Sequence, residues 1–229
     1  MGSRIALYAS LALLMVVSII ELSFISAMVG WLHGTASGTF AFSFDGSTYE
    51  LKGEPKNLIV DQGHTSNGAA GTGFILIGLG GFLALWLRSR PNAGKFSIAF
   101  YHGWLVTNFL SLLLVLSALI YVFVVTNNHN GQTIDPSVAA GLDGKKYNLD
   151  SWTPQNWFSA VLKLDLVDSG VRSDIESHLH IMKGWQYNLI PFFLIHLLET
   201  GVAFWDAVQR RKARVPSSVQ QKGDTEASH

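Results

Sequence analysis

The sequence has no cysteine, so disulfides are excluded and any long connection must be held by its own packing. It has no Asn-x-Ser/Thr triplet, so N-glycosylation is not expected. Charge is scarce: Asp, Glu, Lys and Arg make up 14% of the 229 residues, against 48% hydrophobic. That balance fits one compact membrane unit rather than several domains, and nothing in it suggests a nucleic-acid partner. The motifs of catalysis are missing too. There is no His-Glu-x-x-His pair, no phosphate-cradling Gly-Lys-Ser/Thr loop and no nucleophile elbow. No catalytic residue, metal site or cofactor is expected. Asp174 with His178 and Glu176 with His180 are four residues apart. They read as solvated charge on a helix surface rather than as metal ligands.

What the chain does have is four long apolar runs, at about residues 5–32, 69–88, 97–125 and 187–208. A bilayer core about 30 Å thick needs roughly 20 residues of helix. In lipid the backbone must satisfy its own hydrogen bonds, so four such helices predict a bundle. Basic residues cluster at Arg4, at Arg88, Arg90 and Lys95, and at Arg210, Arg211, Lys212 and Arg214. The positive-inside rule then places both termini and the short link in the cytoplasm. The connections 33–68 and 126–186 face outside. Residues 1–214 form the four-span domain, and 215–229 is expected to be a disordered cytoplasmic tail. No cleaved signal peptide is expected, because the first apolar run is longer than a signal core. Trp31, Trp185 and Tyr187 are expected at the outer interface, Trp86 and Trp205 at the inner one.

The first outer connection alternates Phe40, Phe42 and Phe44 with small residues, then reads Asp45-Gly46. That pattern predicts a tight hairpin, since the turn needs positive φ. Asn57–Val60 is a candidate third strand. Leu142-Asp-Gly-Lys-Lys-Tyr-Asn-Leu149 repeats the pattern of Phe44–Leu51, which suggests a second hairpin in the same sheet. Thr153-Pro154 opens a short amphipathic helix carrying Trp157 and Phe158. Ser173-Asp-Ile-Glu176 has the form of a capping box. The expected fold is membrane α: a four-transmembrane-helix bundle with an extracellular lobe of short antiparallel strands and one or two short helices.

Within the spans, Glu21, Asn108, His196 and Glu199 are the candidate site, an intramembrane polar cluster. Asn188, His196, Glu199 and Asp206 share one helical face. Three readings compete: interhelical hydrogen-bonded glue, an ion or proton path, or a contact surface for a partner. Gly73, Gly80 and Ala84 form a small face on the second span, suited to close helix packing.

This layout resembles the claudin-like tetraspans, including their PalI-type fungal relatives. The resemblance lies in four spans, cytoplasmic ends, a strand-bearing first outer loop and a short inner link. Claudins carry a Trp-Gly-Leu-Trp-like segment and two cysteines in that loop. This chain has Gly30-Trp-Leu-His-Gly34 and none, and no family site residue carries over. The leading expectation is a non-enzymatic multi-pass protein, in the plasma membrane. It would organise a membrane patch or accompany a larger complex, touching lipid, itself or another membrane protein. The alternative is a small ion or proton channel or transporter using Glu21, His196 and Glu199.

Overall fold

Long apolar runs give long helices, the last of them continuous through Pro191, and they dominate the computed structural model, which is 75% helical. It describes residues 2–91 and 93–214; the tail expected to be disordered, 215–229, lies outside them. Four helices are long and apolar enough to cross a membrane. The first is α1 (Gly2–His33). The second runs from Asp61 to Ser89 as α2 (Asp61–Thr72), a π-helical stretch (Gly73–Leu79) and α3 (Gly80–Ser89). The third is α4 (Lys95–Asn128). Two short helices, α5 (Pro136–Leu142) and α6 (Pro154–Val161), precede the fourth, α7 (Ser169–Arg214).

Neighbouring helices run antiparallel, as cross-helix pairs show. Trp31 and Glu21 of α1 meet Asp174 and Asn188 of α7 in that order. Phe123, Asn108 and Tyr101 of α4 meet Tyr187, Glu199 and Asp206 of α7. The result is an up-down-up-down bundle. Its outward faces stay apolar, with Val16, Leu76, Leu110, Ile120 and Leu198 all exposed.

At one end sits a small lobe around a three-stranded antiparallel sheet, order β2-β1-β3. β1 (Thr39–Phe44) and β2 (Ser47–Lys52) pair with Phe44 opposite Ser47. Asp45 and Gly46 both have positive φ, 47° and 75°, the turn that a two-residue hairpin demands. Phe40 and Phe42 are buried, while Phe44 is only partly so. Phe40 meets the ring of Phe158 edge-on at 6.3 Å, and the Trp157 indole N–H donates to the Gly53 carbonyl at 2.7 Å. Thr153 caps α6 as its sequence predicts, accepting from the Asn156 amide at 3.2 Å.

Several expectations need correction. The third strand is β3 (Asp165–Leu166), which pairs with β1. Asn57–Val60 makes only an isolated parallel bridge, Leu58 to Trp152. The second Asp-Gly is not a hairpin: it ends α5. Asp135 and Pro136 start a helix there, and Ala139 and Ala140 favour it over strand. Asp143 and Gly144 still take positive φ, 34° and 80°, so the local geometry repeats while the context differs. Ser173 starts no helix, because Asp168 already caps α7, accepting from the Gly170 amide at 2.7 Å. Trp31 and Trp185 are buried between bundle and lobe, whereas Tyr187, Trp86 and Trp205 are exposed.

The small face of the second long helix is also shifted. A Cβ at Gly73 would lie 3.0 Å from Ser18 Oγ and 3.1 Å from Phe192 Cζ. One at Gly81 would lie 2.9 Å from both Leu11 and Trp104, and one at Gly78 would clash with Met15. At Gly80 a Cβ would meet Trp104 Cδ1 and the Ile75 carbonyl at 3.7 Å, ordinary contact, so the tightest approach lies at Gly73, Gly78 and Gly81 rather than at Gly80. A π-helical turn holds an extra residue and rotates the face beyond it. Ala84 is fully buried as expected. The Trp104 indole N–H donates to the Ile77 carbonyl within the widened turn, at 3.1 Å.

Candidate functional site

α7 is the spine of the site. Asn188, Phe192, His196, Glu199, Ala203 and Asp206 succeed one another at intervals of three or four residues, so one face of the helix presents them all. That face looks into the bundle: Phe192, His196, Glu199, Ala203 and Asp206 are buried.

From the lobe end downward, the first bridge joins α1 to α7. The Asn188 amide donates to Glu21 Oε2 at 2.8 Å, and Glu21 is fully buried. Ser18, one turn away on α1, turns back to its own helix and donates to the Leu14 carbonyl at 2.8 Å. Phe192 comes next and fills the space opposite Gly73. His196 lies one turn further on, its ring stacked on Phe192 at 6.2 Å. Neither of its ring nitrogens has a hydrogen-bond partner among the described residues.

The second bridge joins α4 to α7. Asn108 Nδ2 donates to Glu199 Oε2 at 2.7 Å, and Thr200 Oγ1 donates to Asn108 Oδ1 at 2.7 Å. The remaining oxygens, Glu21 Oε1 and Glu199 Oε1, are buried without partners among the described residues, as is Ser111 Oγ. Eleven residues separate Asn188 from Glu199, a rise of about 16 Å. The structure therefore brings Asn108 and Glu199 together. It does not join Glu21 or His196 to them by hydrogen bonds, and the single cluster expected from sequence is two separate bridges. The reason is the antiparallel register, which puts Glu21 level with Asn188 rather than with Glu199.

No family model, curated protein or solved structure matches this chain. What it can do must be read from its own geometry.

A third polar knot lies at the basic end. Asp206 Oδ2 accepts from Arg88 at 2.6 Å, from Arg210 at 2.9 Å and from the Tyr101 hydroxyl at 3.3 Å. The Arg88 guanidinium also lies over the Tyr101 ring, 3.7 Å from its centroid. This knot ties α3, α4 and α7 together. Sequence reasoning read Arg88 as a sidedness signal and Asp206 as one more polar position. The signal available was that Asp206 is the lone acid at that end among the described residues.

Between bundle and lobe lies a cleft of about 410 Å³, walled by Met28, Leu32, Val60 and Trp185, with Gln62 and Gln155 on its lining. Trp185 donates to Ser66 Oγ at 3.1 Å beside it. Neither this cleft nor those at the basic end are lined by Glu21, His196 or Glu199.

Proposed function

We propose that the four helices cross a membrane and that the chain is a non-enzymatic multi-pass protein. It organises a membrane patch or serves as an accessory subunit, with its lobe and spans as contact surfaces for another membrane protein or a second copy. The lobe faces outside and the termini face the cytoplasm of a plasma-membrane protein, in the plan of the claudin-like and PalI-type tetraspans. The sidedness rests on Arg4, Arg88, Arg90, Lys95, Arg210, Arg211 and Lys212, all at the end away from the lobe.

One observation carries the structural reading. The buried polar groups form separate bridges, and wholly buried Leu189, Phe192 and Ala203 stand among them on α7. Polar pairs spaced by packed apolar side chains act as interhelical glue. The runner-up, proton or cation transport, is favoured by the partnerless nitrogens of His196 and the spare oxygens of Glu21 and Glu199. Reconstitution into liposomes separates the two. The structural reading expects no flux, and a stable assembly on native gels whose partner mass spectrometry identifies. A wild-type proton or cation flux that disappears in Glu199→Gln overturns it and promotes transport.

A further inference from the structure

We propose that the basic end of the bundle holds the headgroup of an anionic phospholipid in a cleft between α4 and α7. The inference rests on the reading that these helices cross a membrane. The cleft has a volume of about 360 Å³ and two kinds of wall. Leu105, Phe204 and Ala207 make an apolar side, and His102, Arg210 and Arg211 stand at the polar side.

Charge selects the ligand. The lining holds three guanidinium groups, those of Arg88, Arg210 and Arg211, and no carboxylate. The nearby acid is Asp206, buried beneath and engaged with Arg88 and Arg210. One carboxylate against three guanidiniums leaves the site positive. Arg211 is exposed and makes no ion pair among the described residues. A neighbouring smaller cleft, about 50 Å³, adds Arg4 to the same field. Guanidinium forks match the oxygens of a phosphodiester.

The apolar wall chooses between a lipid and a soluble phosphate. Phe204 and Val208 are 42% and 50% exposed, and Val106 further along α4 is 59% exposed. This surface continues the cleft along the apolar flank of the bundle. A free phosphate leaves that furrow unused, whereas a phospholipid places its headgroup on the arginines and an acyl chain along Leu105 and Phe204. Basic pockets between helices at the cytoplasmic side are suited to such headgroups.

The test uses the full chain in nanodiscs of mixed phosphatidylglycerol and phosphatidylcholine, with retained lipid counted by native mass spectrometry. The wild type is expected to keep phosphatidylglycerol in preference to phosphatidylcholine, with inorganic phosphate failing to compete. Arg211→Gln is expected to lower that retention about fivefold, the attraction of one cation near an anionic surface. Ala207→Trp changes no charge but fills the furrow, and is expected to remove the preference. Arg90→Gln takes a charge from the same end but outside the cleft, and is expected to keep it. Equal retention of the two lipids by the wild type overturns the proposal. So does an equal loss in Arg90→Gln and Arg211→Gln, which marks diffuse attraction only. Retention unchanged in Ala207→Trp, or displacement by inorganic phosphate, overturns it as well. Alkaline carbonate extraction separates the two layers of the inference. A chain released by carbonate defeats the membrane reading itself, whereas an embedded chain without lipid preference defeats this site alone.

Discussion

At Glu199 the hydrogen bonds run in one direction: Thr200 donates to Asn108, and Asn108 donates to Glu199. Only an acceptor is needed at the end of that chain. Glu199→Gln keeps an acceptor oxygen and is expected to fold and assemble as the wild type does. Glu199→Leu strands a buried amide, and is expected to cost about 1–3 kcal/mol. Thermal unfolding in mild detergent measures both, and equal destabilisation by the two substitutions would show that charge, not acceptance, matters there. Asp135 allows a pH test outside the helical bundle. Its carboxylate accepts from the Ser137 hydroxyl and amide and from the Val138 amide, which holds its pKa below the ordinary value of 3.8. A depressed folded-state pKa contributes stability above the unfolded value, and that stability fades as pH falls below about 4. The acid-induced loosening of α5 is expected to be weaker in Asp135→Asn, read by hydrogen exchange of the Ala139 amide. An identical acid response in both proteins would remove the cap from the explanation. The residue types of these sites were legible in the sequence, since Asn188, His196, Glu199 and Asp206 share a helical face. Their partners were not, because pairing depends on the register between helices, which no spacing within one helix encodes.

Among the elements, the second long helix shows where periodicity misleads. Regular α-helix puts Gly73, Gly80 and Ala84 on one face, but the π-helical turn at Gly73–Leu79 rotates the residues beyond it. Gly81→Ala is therefore expected to cost about 1–3 kcal/mol by overpacking against Leu11 and Trp104. Gly80→Ala meets Trp104 and the Ile75 carbonyl at an unstrained 3.7 Å, and is expected to be neutral or to gain up to about 1 kcal/mol from helix propensity. Paired melting curves decide the matter. The reverse order, with Gly80→Ala the damaging change, would restore the regular face. Elsewhere local chemistry sufficed. Asp45-Gly46 and Thr153-Pro154 specify a hairpin and a cap through contacts within a few residues, and both are found. The second Asp-Gly carried the same positive φ but not the same element, because the residues before it favour helix. A turn signal fixes backbone geometry at two positions and leaves the flanking element to its own propensity.

For the whole molecule, α7 is the link between lobe and bundle. Its 46 residues rise about 69 Å, more than twice a bilayer core of about 30 Å. Its first turns stand beside the lobe and the rest, from Tyr187 and Asn188 onward, lines the bundle. Trp31, near the end of α1, fastens onto those first turns. Its indole N–H donates to Asp174 Oδ2 at 2.7 Å, and its ring stacks on His178 at 4.4 Å. Its edge meets Phe158 of α6 at 4.6 Å. One side chain thus joins α1, α6 and α7. Further ties are Gln155 to Gln186 at 3.0 Å and Asn156 to the Thr126 carbonyl at 2.7 Å. Lobe and bundle are accordingly expected to unfold together in the wild type. Trp31→Ala removes a buried indole, and is expected to cost about 3–5 kcal/mol. It should also split the transition, so that trypsin reaches Lys145 and Lys146 in the lobe before helical circular dichroism is lost. Trp31→Phe keeps an aromatic ring in place but loses the N–H and part of the indole's bulk, and is expected to lower stability by about 1–3 kcal/mol without splitting the transition. Trypsin cleavage and helix loss that stay coincident in Trp31→Ala would mean the coupling runs through α7 alone, with Trp31 merely filling space.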